Sequence, residues 1–429
     1  MNSLPTLISE RDPSERQSVY HFTRSEAANG AERNHLESND SFGFWRLDES
    51  WRTELSSAID ESGRSAEWYL FEQYLPARKR QPPSLDFYYN VKRLIPRAIR
   101  HALNRVVVRL RSPMSFPAWP YEASLLSLRC SWLQDVLDQL GREDGCYVGF
   151  WPKDYERCIV LTHDVESRAG LSRMAKMAEI ECKYGFRSAW NIPLGQFRID
   201  WSALETMRRE GFELGAHGLA HDGRLFRSDE DFRILGPEVE RLARAHGLRG
   251  FRSPSTLRRL DLLPTMDFDF DSTFADTDPY EPQPGGSCST FPFYIGKMVE
   301  LPYTLPQDHT LMNLVRRDLS CTWIEKADWL SSIGGMILTL THPDYSGYPP
   351  ALNAYEELLK HLAQIDRAWR ALPSEVAAWW RKRSAMHLES NDHSARIAGV
   401  GAADASIKLL STDPLMAAWR AGLLTPHFM

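Results

Sequence analysis

Cys158 to Glu166 reads CIVLTHDVE, an apolar run that ends abruptly in His163, Asp164 and Glu166. A short apolar run closed by polar residues reads as a buried strand whose last side chains meet solvent or a site. Working outward, the pattern repeats. LSRMAKMAEIECKYG has helical spacing, RSAWNIPLG reads as the next strand, WSALETMRREG as a helix and FELGAHGL as a strand, and the run from Asp229 through GPEVERLARAHG as a helix. RGFRSPS, DFDFDST, MVELPYTL and MILTLTHPDY add strand candidates, while ALNAYEELLKHLAQIDRAW and SEVAAWWRKRS end the region with helical segments. Alternation of this kind predicts a parallel sheet with helices packed outside it, and so many repeats favour a closed or nearly closed barrel over a flat sheet. The expected fold class is α/β, a distorted (β/α) barrel over residues 155–384.

The flanks are plainer. Residues 1–42 are rich in Ser, Glu, Arg and Asn without periodicity and read as a flexible arm. Residues 43–154 carry scattered helical patterns, such as SLLSLRCSWLQDVLDQLG, broken by proline near Pro82 and Pro117, and read as a mainly helical extension. Residues 385–429 have weak periodicity and read as a loosely structured tail. The hexapeptide HLESND stands at His35–Asp40 and again at His387–Asp392.

The 429 residues are 43% hydrophobic and 25% charged, which excludes wholesale disorder. A net charge of −6 gives no overall basic footprint, so nucleic acid is not an expected partner. There is no basic start followed by a long apolar run, and no stretch of about 18 apolar residues, so a cytoplasmic placement is expected. Cys130, Cys146, Cys158, Cys182, Cys288 and Cys321 include no C-x-x-C pair and read as reduced thiols.

In parallel α/β folds the reactive groups sit where strands end. GAHGLAH places His217 and His221 four residues apart after an apolar strand, and two imidazoles at that spacing suit a divalent ion; a helix cap beside a surface histidine is the plain alternative. In HDVE, Asp164 and Glu166 lie two apart on a strand and face the same way. Their repulsion would be relieved by a cation, leaving one acid to coordinate and one to take a proton from water. Arg252 in RSP, Asp269 or Asp271 in DFDFDS, and His342 and Asp344 in THPDY complete the strand-end set. For each, a structural reading is available: a turn held by Pro254, an edge strand with solvated acids, or a strand-ending turn before Pro343.

LTHDVE, HGLAH, FRSPS, DFDFDS and LTHPDY, in that order, resemble the motifs of NodB-type polysaccharide deacetylases, carbohydrate esterase family four. The resemblance spans about residues 155–350 and implies a barrel of the NodB-homology type that hydrolyses an N-acetyl or related amide on a sugar. It implies Asp164 as catalytic base, Glu166, His217 and His221 as metal ligands, Arg252 as the residue orienting the base, His342 as general acid, and Asp271 as the acid supporting His342. The implied cofactor is a divalent ion, zinc first, with cobalt or nickel as alternatives. Val165 separates the two acids where the family's commonest motif has adjacent aspartates, which leaves open which acid binds metal. No aromatic residue follows Pro254.

The stretch from Arg78 to Arg111 is dense in Lys and Arg against the single acid Asp86, with apolar residues between them. It reads either as a solvated helix face packed on the barrel or as a peripheral contact for an anionic membrane or a lipid-linked substrate. The function expected is removal of an N-acyl group from a sugar, lipid-linked intermediate or oligosaccharide in cell-envelope or exopolysaccharide biosynthesis. A non-catalytic glycan- or metal-binding scaffold and an amidohydrolase for a non-sugar C–N bond are the alternatives.

Overall fold

The computed structural model describes residues 39–54, 58–76, 114–391 and 394–424. Thirteen strands occur among them: β1 (Cys146–Val148), β2 (Arg157–Asp164), β3 (Ser188–Ile192), β4 (Glu213–Ala216), β5 (Gly250–Phe251), β6 (Phe270–Asp271), β7 (Phe293–Ile295), β8 (Met298–Glu300), β9 (Met336–Thr341), β10 (Ala368–Arg370), β11 (His387–Asn391), β12 (Ser394–Ala398) and β13 (Ile407–Leu409).

Nine of these form one curled sheet in the order β10-β2-β3-β4-β5-β6-β8-β7, with β9 also paired to β2. Every pairing is parallel except the β7–β8 hairpin. CIVLTHD is its centre: β2 is buried along both faces after Arg157, as a parallel strand covered on either side must be. The expected distorted barrel is what forms. Its distortion has a local cause. The outer edge of β9 meets irregular chain, with Thr304 and Leu305 both donating their N–H to the Leu338 carbonyl at 3.1 Å and Met336 donating to Thr290 at 2.9 Å. Pro302 and Pro306 flank that segment and have no N–H to extend a ladder.

The helices Met174–Lys183, Trp201–Arg209, Asp229–Ala245, Leu319–Ser332, Ala351–Leu362 and Pro373–Ser384 alternate with the strands. Several start on a side-chain cap that satisfies an otherwise unpaired N–H: Asp200 accepts from Ser202 and Ala203, Ser228 from Asp231, and Asp318 from Cys321. The segment read as one long helix through Trp369 stops at Leu362, and its end becomes β10.

The extension is mainly helical, with Ser41–Trp45, Ala66–Leu70 and Ser124–Gln139. Its β1 pairs with β13 of the tail. Expected to be loose, the described tail instead packs: β11 and β12 form a hairpin, and Leu410, Leu415 and Met416 are fully buried. These elements are too short to show a period, and partners distant in sequence decide their burial. Asn39, within the expected arm, is likewise buried; its side chain donates to the Tyr294 carbonyl and accepts from the Tyr294 N–H, both at 2.8 Å. Arg383 ties barrel to extension, donating to the carbonyls of Gly149, Phe44 and Val148.

His387–Asn391 of the second HLESND copy form β11, whereas Asn39 and Asp40 of the first lead into a helix, Asp40 capping it through Gly43. The rest of the arm and the basic stretch Arg78–Arg111 lie outside the described residues. All six cysteines are unpaired. Among the described residues no helix is long and apolar enough to cross a membrane.

Candidate active site

Six of the seven residues singled out from sequence converge at the C-terminal ends of β2, β4, β5 and β9. Asp164 ends β2 and is almost fully buried. Its Oδ1 accepts from Asn191 Nδ2 at 2.8 Å and from Arg252 Nη1 at 3.1 Å. Burial pushes the Asp164 carboxyl up, but Arg252, then His217 and His342, and the Asn191 hydrogen bond outweigh it and hold the group below the ordinary carboxylate range. Arg252 is itself locked in place. Its Nε donates to the Ser272 carbonyl at 2.5 Å, Nη1 also to Thr162 at 2.8 Å and Nη2 to Ser272 Oγ at 2.6 Å.

His217 follows β4. Its Nδ1 lies 2.9 Å from the Arg252 carbonyl, an acceptor only, so the proton sits on Nδ1 and Nε2 keeps its lone pair. That Nε2 is buried without a hydrogen-bond partner, 3.9 Å from Asp164 Oδ2. Burial drives the His217 pKa down to about 4, against the opposing pull of Asp164. The ring of His221 stands 5.6 Å from that of His217, and its Nε2 is 2.9 Å from Glu166 Oε1. Gln196 joins the loops that carry these two residues, accepting from His221 N–H and donating to the Glu166 carbonyl, both at 2.6 Å. Between the histidines, Gly218 has φ +66, and a Cβ there would stand 3.0 Å from Pro254 Cγ. The RSP turn thus packs directly on the HGLAH turn.

His342 stands across the site, its Nε2 3.9 Å from Glu166 Oε1. Its Nδ1 is 2.7 Å from Asp308 Oδ1, and Asp308 Oδ2 accepts the His342 backbone N–H at 2.8 Å and the Ser346 hydroxyl at 2.6 Å. Burial lowers the His342 pKa, but the Asp308 charge and hydrogen bond, helped by Glu166 and Asp164, raise it to about 10. The pairing with Asp308 thus favours the protonated form of His342.

Asp271 is the exception. It is not brought to His342 but lies in β6, in register with Glu300 of β8. Its Oδ1 accepts from Thr273 Oγ1 at 2.7 Å. Burial pushes the carboxyls of both Asp271 and Glu300 above the ordinary range, and the Asp271 charge pushes Glu300 further, so the two titrate as a pair. The acid that supports His342 is Asp308, which opens the helical turn leading into Thr310–Val315 and does not follow a strand. Asn191 is the penultimate residue of β3, beside the strand ends that supply the other site residues. Glu281 is a further omission: it is buried, takes a hydrogen bond of 3.4 Å from Thr256, and is pushed to about 8 by burial and then by Asp278.

His163, next to Asp164, faces away from the site, as strand alternation requires. It stacks on Trp190 and is 2.8 Å from Thr341 Oγ1 and 2.7 Å from Glu181 Oε1. Asp344 serves the loop after β2, accepting from Glu166 N–H at 3.0 Å and from Ser167 Oγ. Asp269 pairs with Arg249 at the surface.

Among the described residues no three His, Cys, Asp or Glu side chains stand close enough together to form a ready-made metal cage. The donor chemistry nevertheless suits a divalent cation. His217 presents a buried neutral imidazole with an unused lone pair, and His221 and Glu166 meet directly beside it.

No family model and no curated protein matches the chain. Solved structures similar to it include a Mycobacterium smegmatis protein described as a polysaccharide deacetylase, with 19% identity over 57% of this chain and 96% of that one and a TM-score of 0.44. A PuuE allantoinase shares 14% identity over 54% of this chain and 92% of its own, with a TM-score of 0.43. A peptidoglycan deacetylase from Bacillus subtilis shares 16% identity over 53% and 94%, with a TM-score of 0.35.

Proposed function

We propose that the chain is a divalent-metal-dependent hydrolase that removes an N-acyl group, N-acetyl above all, from a sugar or glycan. One observation carries this reading: a buried carboxyl held by Arg252 and Asn191, Asp164, lies 3.9 Å from the unpartnered Nε2 of His217, while His342, held by Asp308, stands 3.9 Å from Glu166 of the same cluster. Hydrolysis of an amide needs a base for the attacking water and an acid for the departing nitrogen, and Asp164 and His342 are the groups this reading assigns to those roles.

Glu166, His217 and His221 would hold the ion, for which zinc is the first candidate and cobalt or nickel alternatives. When bound, such an ion supplies Lewis-acid polarisation of the acyl carbonyl and acidifies water. Asp164 takes the proton of the attacking water. Arg252 and Asn191 fix the rotamer of Asp164 and keep it ionised until then. His342 donates its Nε2 proton to the leaving amine, and Asp308 stabilises the imidazolium beforehand and orients it. Burial of these groups strengthens every charge interaction among them. The substrate belongs in this reading to cell-envelope or exopolysaccharide biosynthesis, as an activated sugar, a lipid-linked intermediate or a short glycan.

The test is acetate release from N-acetylated sugars by protein loaded with zinc, cobalt or nickel. Absence of release from every substrate by protein shown to hold metal would sink the catalytic reading. Survival of cellular function in Asp164→Asn, with metal retained, would favour a binding scaffold instead.

A further inference from the structure

The N-terminal extension reaches the candidate site through one buried ion pair. Glu72 and Arg258 are both almost fully buried; Arg258 Nε donates to Glu72 Oε2 at 2.8 Å, and Nη2 donates to Glu72 Oε1. Arg258 lies just past the turn Pro254–Thr256 and holds it by donating to the Thr256 carbonyl at 3.2 Å. It also grips the following loop, since its backbone N–H and its guanidinium both bond Gln283, at 2.8 and 3.1 Å.

That turn is an unusual piece of backbone. Ser255 and Thr256 both have positive φ, +56 and +49, a conformation that costs non-glycine residues energy and persists only where surroundings impose it. It also touches the site: Pro254 packs against Gly218 and Ser255 Oγ is 3.5 Å from His221 Nε2. Gly285 makes room for the clamp. A Cβ on Gly285, whose φ is +137, would stand 2.5 Å from Glu72 Oε1.

We propose that Glu72 is a positioning residue for the candidate site: through Arg258 it holds the strained Pro254–Thr256 turn against Gly218 and His221. The extension is thereby a working part of the site, because the charge that fixes the turn comes from outside the barrel. This inference rests on the proposed function only for its catalytic consequence; the mechanical coupling stands apart from it.

Glu72→Gln keeps the shape of the side chain and removes its charge. In the full chain, hydrogen exchange of peptides spanning residues 252–262 and 281–287 should accelerate, with exchange in β2 and β3 unchanged. Cobalt(II) affinity, read from its absorption bands, should weaken by roughly tenfold, as for outer residues that orient a metal ligand, with KM for an N-acetylated sugar rising more than kcat falls. Glu72→Asp, which restores the charge on a shorter side chain, should recover the cobalt affinity in part and exchange at a rate between those of Glu72→Gln and wild type; should the Gln variant fail to fold, Glu72→Asp against wild type carries the exchange comparison. Wild-type exchange in both peptides, in whichever of the two variants folds, overturns the proposal. If wild-type protein binds no cobalt and cleaves no sugar amide, the proposed function falls, and the exchange comparison still decides the role of Glu72.

Discussion

His217 and His342 are both buried, both at strand ends, and both within 4 Å of an acid of the same cluster. Yet burial drives one down to about 4, and Asp308 lifts the other to about 10 against the same burial. The difference lies in what each Nδ1 meets: a backbone carbonyl at His217 and the Asp308 carboxyl at His342. A carbonyl accepts a hydrogen bond without supplying the charge that stabilises an imidazolium, so burial wins there. One residue is left able to offer a lone pair and the other able to give a proton. Partner chemistry, rather than depth or ring type, sorts the two roles.

The largest effect should come from Asp164→Asn, which removes the carboxyl group held by Arg252 and Asn191 beside His217. The turnover number should fall by about 10² to 10⁴, the usual share of a general base, while a metal assay should still find the ion. Retained turnover would move the base to Glu166.

Asp308→Asn should turn His342 toward the behaviour of His217. With the raising charge gone, burial acts alone, and the imidazole becomes neutral at a lower pH. Activity near pH 7 should drop roughly a hundredfold, in line with loss of a general acid, and the alkaline limb of the pH–rate profile should move down from about 10. An unmoved limb would mean that another group sets it.

The same contrast predicts opposite slopes of stability with pH. His342 has a folded pKa above its unfolded value near 6.5, so its contribution is full below that value and is lost as pH rises toward about 10. His217 has a depressed folded pKa, so its neutral form penalises folding in acid, and stability should rise between about 4 and 6.5. Urea midpoints compared between wild type and Asp308→Asn should show the alkaline slope only in wild type; equal slopes would deny Asp308 its role.

The smallest effect expected is at Gly218. Gly218→Ala forces an L-residue into the left-handed region at a cost of about 1–2 kcal/mol and presses on Pro254. Thermal unfolding should reveal that loss, accompanied by weaker metal binding on the His217 side and an unchanged His342 limb. A change confined to the limb would contradict the separation of the two sides.

Much of this molecule is readable along the chain. CIVLTHD, SAWNI and MILTLT are continuous apolar runs because parallel strands are covered on both faces, and that requirement is local. Asp164, His217, Arg252 and His342 were reachable because each ends such a run. The tail was not, since Leu415 and Met416 acquire their burial from elements hundreds of residues earlier and leave no period in so short a helix.

The sequence by itself therefore determined the βα alternation and the residues at the strand ends, because side-chain period and strand termination are properties of neighbouring residues. Only the tertiary structure decided which acid serves His342. Asp271 sits at a strand end and was the natural choice, but register sets it against Glu300. Asp308 opens a helical turn 34 residues before His342 and reaches it only through the packing of that turn beside the end of β9. The protonation states of the two histidines follow from those partners, so charge at the site is a property of the fold.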